Sequence, residues 1–114
     1  MYKYSIYQLK DAPETLPIRF SPLQQLQSAG FQVDKQNYNF LYSGTIKRDN
    51  SSVKEILDAI FYKFNIDRPA DFKGHSLSVS DVIVLEAEAF YVDSIGFVEV
   101  PEFLTEQAIE KGES

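Results

Sequence analysis

The sequence predicts an α+β domain: a mixed or mainly antiparallel sheet of about five strands, two to three helices, and one helix packed on a face of the sheet. The first observation behind this is an amphipathic segment, Ser52–Phe64, that starts with the pattern of a capping box. The second is a series of short runs rich in Val, Ile, Tyr and Phe, which are typical of strands. The third is the length of 114 residues, which suits a single domain over residues 1–114.

The first half of the chain supplies two strands and a short helix. Tyr2–Leu9 has apolar residues at both odd and even positions, so it predicts a strand that is packed on both faces. Ser21 as N-cap and Gly30 as the terminating residue predict a short helix between them. Tyr38–Ile46 predicts the second strand, in which Gly44 indicates either a bulge or a close approach of another chain segment.

The segment Ser52–Phe64 has the most regular pattern. Ser52 and Glu55 have the spacing at which an N-cap hydroxyl and a carboxylate bond each other's backbone N–H groups. From Val53 onward, apolar residues recur at i, i+3, i+4, i+7, i+8 and i+11, which forms one stripe along a helix. We expect this stripe to pack on the sheet.

The last third of the chain predicts three strands and a final helix. The strand runs are rich in β-branched and aromatic residues: Val82–Leu85, Phe90–Val92 and Phe97–Val100. Glu86–Ala89 predicts a hairpin loop of about four residues, and Gly96 lies in the turn before the last run. Glu102–Lys111 predicts the final helix.

A long loop, Asn65–Ser80, separates the amphipathic helix from these strands, and we expect a binding surface there because long ordered loops are often functional. The candidate binding residues combine charged, aromatic and hydroxyl side chains: Asp67, Arg68, Phe72, His75, Ser76 and Ser78. Phe72 is interpreted as an exposed anchor for a partner, with a place in the core as the alternative. Candidate structural residues of the loops are Gly74, Ser80, Asp81 and Gly96. We expect Asp81 to accept hydrogen bonds from loop amides.

His75 is the single histidine and lies near several Ser and Asp residues in the sequence. One interpretation is a Ser-His-Asp relay. The other is that His75 and Ser76 satisfy backbone groups of the loop. No Gly-x-Ser-x-Gly elbow accompanies His75, so we expect no catalytic residues and no enzyme. One His, no Cys and no calcium-loop spacing lead us to expect no metal site and no cofactor.

Charge and composition restrict the partners. The net charge of -6 and the scattered basic residues disfavour nucleic acid, because phosphate binding needs clustered Lys and Arg. The absence of Cys fits a reducing cytoplasm. No apolar run reaches the roughly 18 residues of a membrane span, and the first ten residues lack the pattern of a signal peptide. We therefore expect a cytoplasmic protein, without membrane insertion, whose partner is another protein; no oligomeric state follows from the sequence.

Two runs near the end of the chain resemble the YodL-like domain family: GHSLSVSDVIVL, at 74–85, and YVDSIGFVEVPEF, at 91–103. YKYSIYQLK, IRF at 18–20 and NYNFLYSG at 37–44 match the same family in the same order. The resemblance implies a small domain of Gram-positive bacteria that occurs alone or inside large proteins of phages and conjugative elements. It implies neither an activity nor catalytic residues. We expect a non-enzymatic interaction or regulatory module that serves a mobile element or its host.

Two alternatives stay open. The run SVSDVIVL also resembles the strand starts of small RNA-binding β-barrels of the PUA or ASCH kind, which suggests a nucleic-acid-associated accessory domain of a mobile element. A cryptic hydrolase built on His75 is the other alternative. A contiguous positive surface would favour the first, and a deep cleft at His75 would favour the second.

Overall fold

Five strands form one open sheet in a computed structural model that describes residues 2–10, 13, 15, 18–30, 33–47 and 52–104. The strands are β1 (Tyr2–Leu9), β2 (Tyr38–Ile46), β3 (Val82–Leu85), β4 (Glu88–Val92) and β5 (Phe97–Glu99). Their order is β2-β1-β3-β4-β5, and all four pairings are antiparallel. The predicted α+β fold is confirmed. The barrel expected for a PUA- or ASCH-like domain is wrong, because β2 and β5 lie at opposite edges and do not pair with each other.

Helix α1 (Leu23–Ser28) lies between β1 and β2, and a 3-10 turn at Lys35–Asn37 leads into β2. The N-cap of α1 is Pro22 and not Ser21 as predicted, and no side chain of the cap residue bonds the helix. Instead, the N–H of Leu23 donates to Oδ1 of Asp93, at 3.1 Å. A carboxylate from the other end of the chain thus takes the place of the expected local cap.

Helix α2 (Val53–Ile66) begins with the predicted capping box. Oγ of Ser52 accepts a hydrogen bond from the N–H of Glu55 at 3.2 Å, and Oε1 of Glu55 accepts one from the N–H of Ser52 at 2.8 Å. The helix continues two residues beyond Phe64 and is capped by Asp67, whose N–H bonds the carbonyl of Lys63 at 2.8 Å.

A bulge in β2 divides the strand into two parts that face differently. The register pairs Ile6 with Tyr42 but Tyr7 with Phe40, so Leu41 is the extra residue on β2. A one-residue insertion reverses the side on which the following side chains lie.

The bulge and the glycine of β2 therefore have separate roles. Gly44 pairs with Tyr4, and a Cβ at position 44 would lie 2.8 Å from the Tyr4 hydroxyl. Of the two predictions for Gly44, the close approach is the one the structure shows. On either side of Leu41, Tyr38 packs in one hydrophobic cluster and Tyr42 against the other.

The β3–β4 hairpin is tighter than the sequence predicts. Leu85 pairs with Glu88, which leaves a loop of two residues instead of about four. Glu86 has a φ of 55°, the left-handed conformation that two-residue hairpin turns require. Its N–H bonds the carbonyl of Lys3 at 2.8 Å, and its carboxylate accepts from the N–H of Lys3 at 2.5 Å. These two bonds hold the turn without the glycine that a sequence search looks for.

Both faces of the sheet are covered. On one face, α2 and the loop after it build a cluster of twelve buried residues: Tyr4, Ile6, Ile56, Leu57, Ile60, Phe64, Phe72, Leu77, Ile83, Leu85, Phe90 and Val92. On the other face, α1 and the segments around it build a second cluster: Leu9, Ile18, Leu23, Leu26, Val33, Tyr38, Val82, Ala89, Tyr91, Val100 and Phe103. The predicted packing of α2 on one face is confirmed.

The end of the chain is described only in part. Residues 102–104 are helical, and the remainder of the helix predicted for Glu102–Lys111 lies outside the described residues. In the part of the chain that the structure describes, no helix has both the length and the apolar character that crossing a bilayer needs.

Candidate functional site

A cleft of about 250 Å³ opens where the end of β1, the start of β2 and the loop after α2 meet. Its lining comes from segments that are far apart in sequence: Gln8, Leu9, Arg19, Asn39, Leu41, Lys73, Gly74 and His75. We call it the Gln8 cleft. Part of the loop in which the sequence predicts a binding surface forms one of its sides.

Gln8 fastens the loop to the sheet. Its side chain is buried, and its Nε2 donates to the carbonyl of His75 at 2.8 Å and to Oδ2 of Asp81 at 3.1 Å. Its Oε1 lies against the backbone of Gly74, where an added Cβ would overlap both Oε1 and Cδ1 of Leu41. Position 74 therefore needs glycine for a close approach, as a residue with a structural role.

The hydrogen bonds of Gln8 also determine the tautomer of His75. Nδ1 of His75 lies 2.7 Å from the carbonyl oxygen of Ser76 and 3.1 Å from Nε2 of Gln8. The two hydrogens of Nε2 are already directed to the carbonyl of His75 and to Asp81, so Nδ1 carries the proton and donates to Ser76. His75 thus satisfies the backbone carbonyl of Ser76, as one of the two interpretations expects of His75.

Asp81 is a buried carboxyl group beneath the cleft. Its Oδ2 accepts from the N–H of Ser78 at 2.9 Å, which is the predicted bond to a loop amide. Burial raises the pKa of Asp81 to about 7, against the opposing effects of the Ser78 and Gln8 hydrogen bonds and the charge of Arg19. Nε2 of Gln8 uses its two hydrogens for the carbonyl of His75 and for Asp81, and a carboxamide takes up no proton at neutral pH. Gln8 therefore interrupts any relay between them.

The hydroxyl groups of Ser78 and Ser80 face the protein. Ser80 is buried with a φ of 88°, and its Oγ accepts a hydrogen bond from the N–H of Phe20 at 3.1 Å. Its carbonyl accepts from the hydroxyl of Tyr38 at 2.7 Å. Oγ of Ser78 is buried without a hydrogen-bond partner among the described residues. Ser76, Ser78 and Ser80 alternate with Leu77 and Val79 in the sequence, but they do not form a strand, because the segment turns at residues 79 and 80.

Phe72 requires a correction. It is not an exposed anchor but part of the core, 9% exposed, with its ring 4.8 Å from that of Phe64 and 6.0 Å from that of Tyr42. The N–H of Phe72 bonds the carbonyl of Pro69 at 3.0 Å, and this turn directs the ring inward. The ring of Phe72 covers apolar side chains of β2 and of the end of α2.

The remaining predicted residues lie away from the cleft. Asp67 and Arg68 are exposed beyond the end of α2 and do not line it. Gly96, with a φ of 76°, lies in the β4–β5 turn. There it lines an apolar groove of about 340 Å³ with Val53 and Phe97 among others. The charged residue of that groove, Lys54, is paired with Asp58 at 2.8 Å.

Two residues beside the cleft were not predicted as site residues. Phe20 is 54% exposed, and its ring centroid lies 5.9 Å from that of His75. The guanidinium carbon of Arg19 lies 5.3 Å from the centroid of Phe20. Phe20 has a φ of 60° in a turn closed by a bond from Ser21 N–H to the carbonyl of Ile18, at 3.2 Å. A bulky residue in the left-handed region is an outlier.

One of the cleft residues that were not predicted is nevertheless marked by a pattern in the sequence. Gln8 continues the face of Tyr4 and Ile6 at period two, so a polar side chain stands where an apolar one is expected. Arg19, Asn39 and Lys73 gave no such signal, because only the fold brings them together.

The arrangement of the described acidic side chains bears on metal binding. Within residues 2–10, 13, 15, 18–30, 33–47 and 52–104, no group of three or more His, Asp or Glu residues is placed to hold an ion.

A family model described as YodL-like domain matches residues 3–103 of the chain. The matched range runs from β1 to Phe103 and includes every segment that lines the Gln8 cleft. Comparison with the curated proteins and with the solved structures found no match.

Proposed function

Because the chain belongs to the YodL-like domain family, we propose that it is a non-enzymatic interaction or regulatory module that binds a protein partner. The contact surface is the Phe20 surface, which we define as Arg19, Phe20, Lys73 and His75 around the Gln8 cleft. The module works in the bacterial cytoplasm and serves a mobile element or its host. The family resemblance and the absence of Cys support this setting.

The observation that carries the proposal is the conformation of Phe20. A left-handed backbone costs an L-residue about 1–2 kcal/mol, and Phe20 adopts one while leaving more than half of its surface in water. Neither the strain nor the exposure contributes to stability. Local strain of this kind persists mainly at functional sites, where the surrounding structure enforces it.

The neighbours of Phe20 match the composition of a protein interface. Aromatic residues and Arg are enriched at interfaces and supply most hot spots. Arg19 lies over the Phe20 ring, and His75 lies edge-on to it. The ring is thus held in place before any partner arrives, which reduces the entropy lost on binding.

The proposal of a non-enzymatic role is supported by the contacts of His75. Its Nδ1 is engaged by the backbone of Ser76, and the Gln8 amide separates it from Asp81. A general base needs a second group that orients it and a nucleophile within hydrogen-bond reach.

The test uses Phe20→Gly with Tyr62→Ala as the matched control. Glycine accepts the positive φ at position 20, so the variant should fold with nearly unchanged stability. Tyr62 is 64% exposed on α2 and does not line the cleft. Quantitative affinity capture from the native host should show a protein that the wild type and Tyr62→Ala retain and that Phe20→Gly loses. A partner that all three proteins retain equally would refute the Phe20 surface.

A second candidate, binding of single-stranded nucleic acid, is favoured by one observation. An exposed ring with a guanidinium over it and a lysine nearby is a combination on which bases stack. Two cations limit the slope of log K against log salt to about −1.4, since each phosphate contact on a single strand contributes about −0.7. Submicromolar binding of an oligonucleotide with a salt slope of about −1.4 would favour this candidate over a protein partner.

A further inference from the structure

The outer edge of β2 is a long strand edge without charged side chains. β2 has nine residues, and among the residues that the structure describes only β1 pairs with it. None of its side chains carries a charge, although the chain as a whole has a net charge of -6. Proteins usually protect an edge strand by making it short or by placing charges, Pro or a bulge on it. β2 is protected by neither shortness nor charge.

The opposite edge of the sheet shows the usual protection. β5 has three residues, its last residue is Glu99, and Pro101 follows two positions later. A short strand with a carboxylate offers little to a pairing strand, and Pro cannot donate a hydrogen bond to it. Of the two edges of the sheet, β2 is therefore the one that is suited to pairing.

The bulge at Leu41 limits where a new strand fits on β2. A bulge twists an edge away from neighbouring chains, so the first half of β2 is unfavourable for pairing. Beyond the bulge, residues 42–46 pair with β1 without interruption. Ser43 and Thr45 are exposed in this half. Tyr42 and Ile46 are only partly buried against the cluster on the α2 face. The regular half of β2 is thus the available part of the edge.

The sequence of this half is complementary to itself. An antiparallel pair of two copies can be centred on Gly44. Tyr42 of each copy then lies opposite Ile46 of the other copy, which joins an aromatic and a β-branched residue. Ser43 lies opposite Thr45, which joins two hydroxyl groups. Both kinds of pair stabilise sheets, and this pairing places no like charges opposite each other.

We propose that a second copy of this chain pairs with residues 42–46 of β2, with Gly44 at the two-fold axis. The two sheets then join into one sheet of ten strands that has both α2 helices on the same face. Such a dimer uses the same patch on both subunits, as two-fold homodimers do. The inference goes beyond the proposed function and does not depend on it, because the Phe20 surface lies on other segments.

The size and charge of the contact determine how the dimer behaves. Five residues at about 3.4 Å each span about 17 Å, which is short for a stable interface. The dimer is therefore weak, and its population rises with protein concentration. Each copy carries a net charge of -6, so added salt strengthens the dimer by screening the repulsion between copies.

The test is analytical ultracentrifugation of the full chain over a range of concentrations, with two double variants. Ser43→Glu with Thr45→Glu places carboxylates opposite each other twice and should raise the dissociation constant of the dimer about tenfold. Ser43→Lys with Thr45→Glu places opposite charges at the same positions without changing the net charge, and it should restore the dimer. Both positions are exposed, so both variants should fold, which circular dichroism checks.

Two single variants are the controls. Val98→Glu adds a carboxylate to the β5 edge and should leave the dimer unchanged. Phe20→Gly should also leave it unchanged, so that loss of the dimer and loss of the protein partner are distinguished. A wild-type protein that stays monomeric at every concentration, also at high salt, would overturn the inference and leave the edge to a strand of another protein. Equal dimerisation of the two double variants, or loss of the dimer in Val98→Glu, would overturn it as well.

Discussion

Gln8 and Asp81, 73 residues apart in the chain, are joined by a 3.1 Å hydrogen bond between Nε2 and Oδ2, and both side chains are buried. The bond connects the end of β1 with the start of β3, and the same Nε2 also holds the carbonyl of His75. One side chain of the sheet thereby fixes the loop that forms the cleft. A buried carboxyl group at such a junction makes the stability of the fold depend on pH.

The first prediction concerns this pH dependence. Asp81 has a pKa of about 7 in the folded protein, against 3.8 as its ordinary value, so the folded state binds the proton more tightly than the unfolded state. The contribution of Asp81 to the free energy of unfolding should therefore be highest below about pH 4, fall as the pH rises to 7, and level off above it. The expected fall is of the order of 2–4 kcal/mol. Urea denaturation from pH 4 to pH 8 measures it.

Asp81→Asn provides the control for the pH series. The Asn side chain keeps an oxygen that accepts from Ser78 and Gln8 but carries no proton that titrates. The variant has no titrating group at position 81, so its free energy of unfolding should change much less with pH over the same window. Contributions from other groups are common to both proteins and cancel in the comparison. A variant whose stability falls in parallel with the wild type would show that Asp81 is not the group responsible.

The second prediction concerns Gly74. A methyl group at this position overlaps Oε1 of Gln8 and Cδ1 of Leu41, so Gly74→Ala should force the loop away from β1. We expect a destabilisation of about 1–3 kcal/mol, the range for overpacked sites, and changes in the amide signals of Lys73 and His75. Leu41→Ala added to Gly74→Ala removes one of the two overlapping groups and leaves the hydrogen bonds of Gln8 in place, so it should recover part of the loop position. Wild-type signals in the single variant would contradict the close approach.

The third prediction concerns the interface between α2 and the sheet. Ile60 is 1% exposed in the cluster on that face, so Ile60→Ala should cost about 2–5 kcal/mol in the free energy of unfolding. Tyr62, on the exposed side of the same helix, serves as control, and Tyr62→Ala should change stability by no more than about 0.5 kcal/mol. Similar losses in the two variants would show that the buried face of α2 is misassigned.

The fourth prediction concerns Phe72. Its ring lies in the core between Phe64 and Tyr42, so Phe72→Ala should destabilise the protein by about 3–5 kcal/mol. Phe72→Leu keeps most of the volume and should cost less than half of that. If Phe72→Ala leaves the melting temperature unchanged and weakens partner capture, Phe72 is an exposed anchor after all.

The sequence predicts the elements of this fold better than it predicts their junctions. The stripe and capping box of α2 are local patterns, and both strands of the first half are recognisable from runs rich in Ile, Tyr and Phe. The N-cap of α1 is different, because Asp93 from the far end of the chain supplies it. The tight turn at Glu86 likewise depends on Lys3. No window of neighbouring residues contains those interactions.

The residues of the candidate site also divide into those that the sequence predicts and those whose position depends on the fold. His75 and Gly74 are recognisable in a loop with unusual composition, and the structure does bring both to the cleft. Phe72 belongs to the core because burial of an aromatic ring depends on what the loop folds onto. The exposure of Phe20 follows from a backbone conformation that its residue type disfavours, and sequence preferences point the other way.

The position of β1 in the sheet has a consequence for biosynthesis. β1 pairs with β2 on one side and with β3 on the other, and β3 starts at Val82. At a translation rate of 5–20 residues per second, about 4–15 s pass between the synthesis of β1 and the synthesis of β3. During that interval the nascent chain exposes the apolar residues that will later lie against α2 and β3. Chaperones that recognise extended apolar segments should therefore contact this protein through β1, and release it only when β3 has left the ribosome.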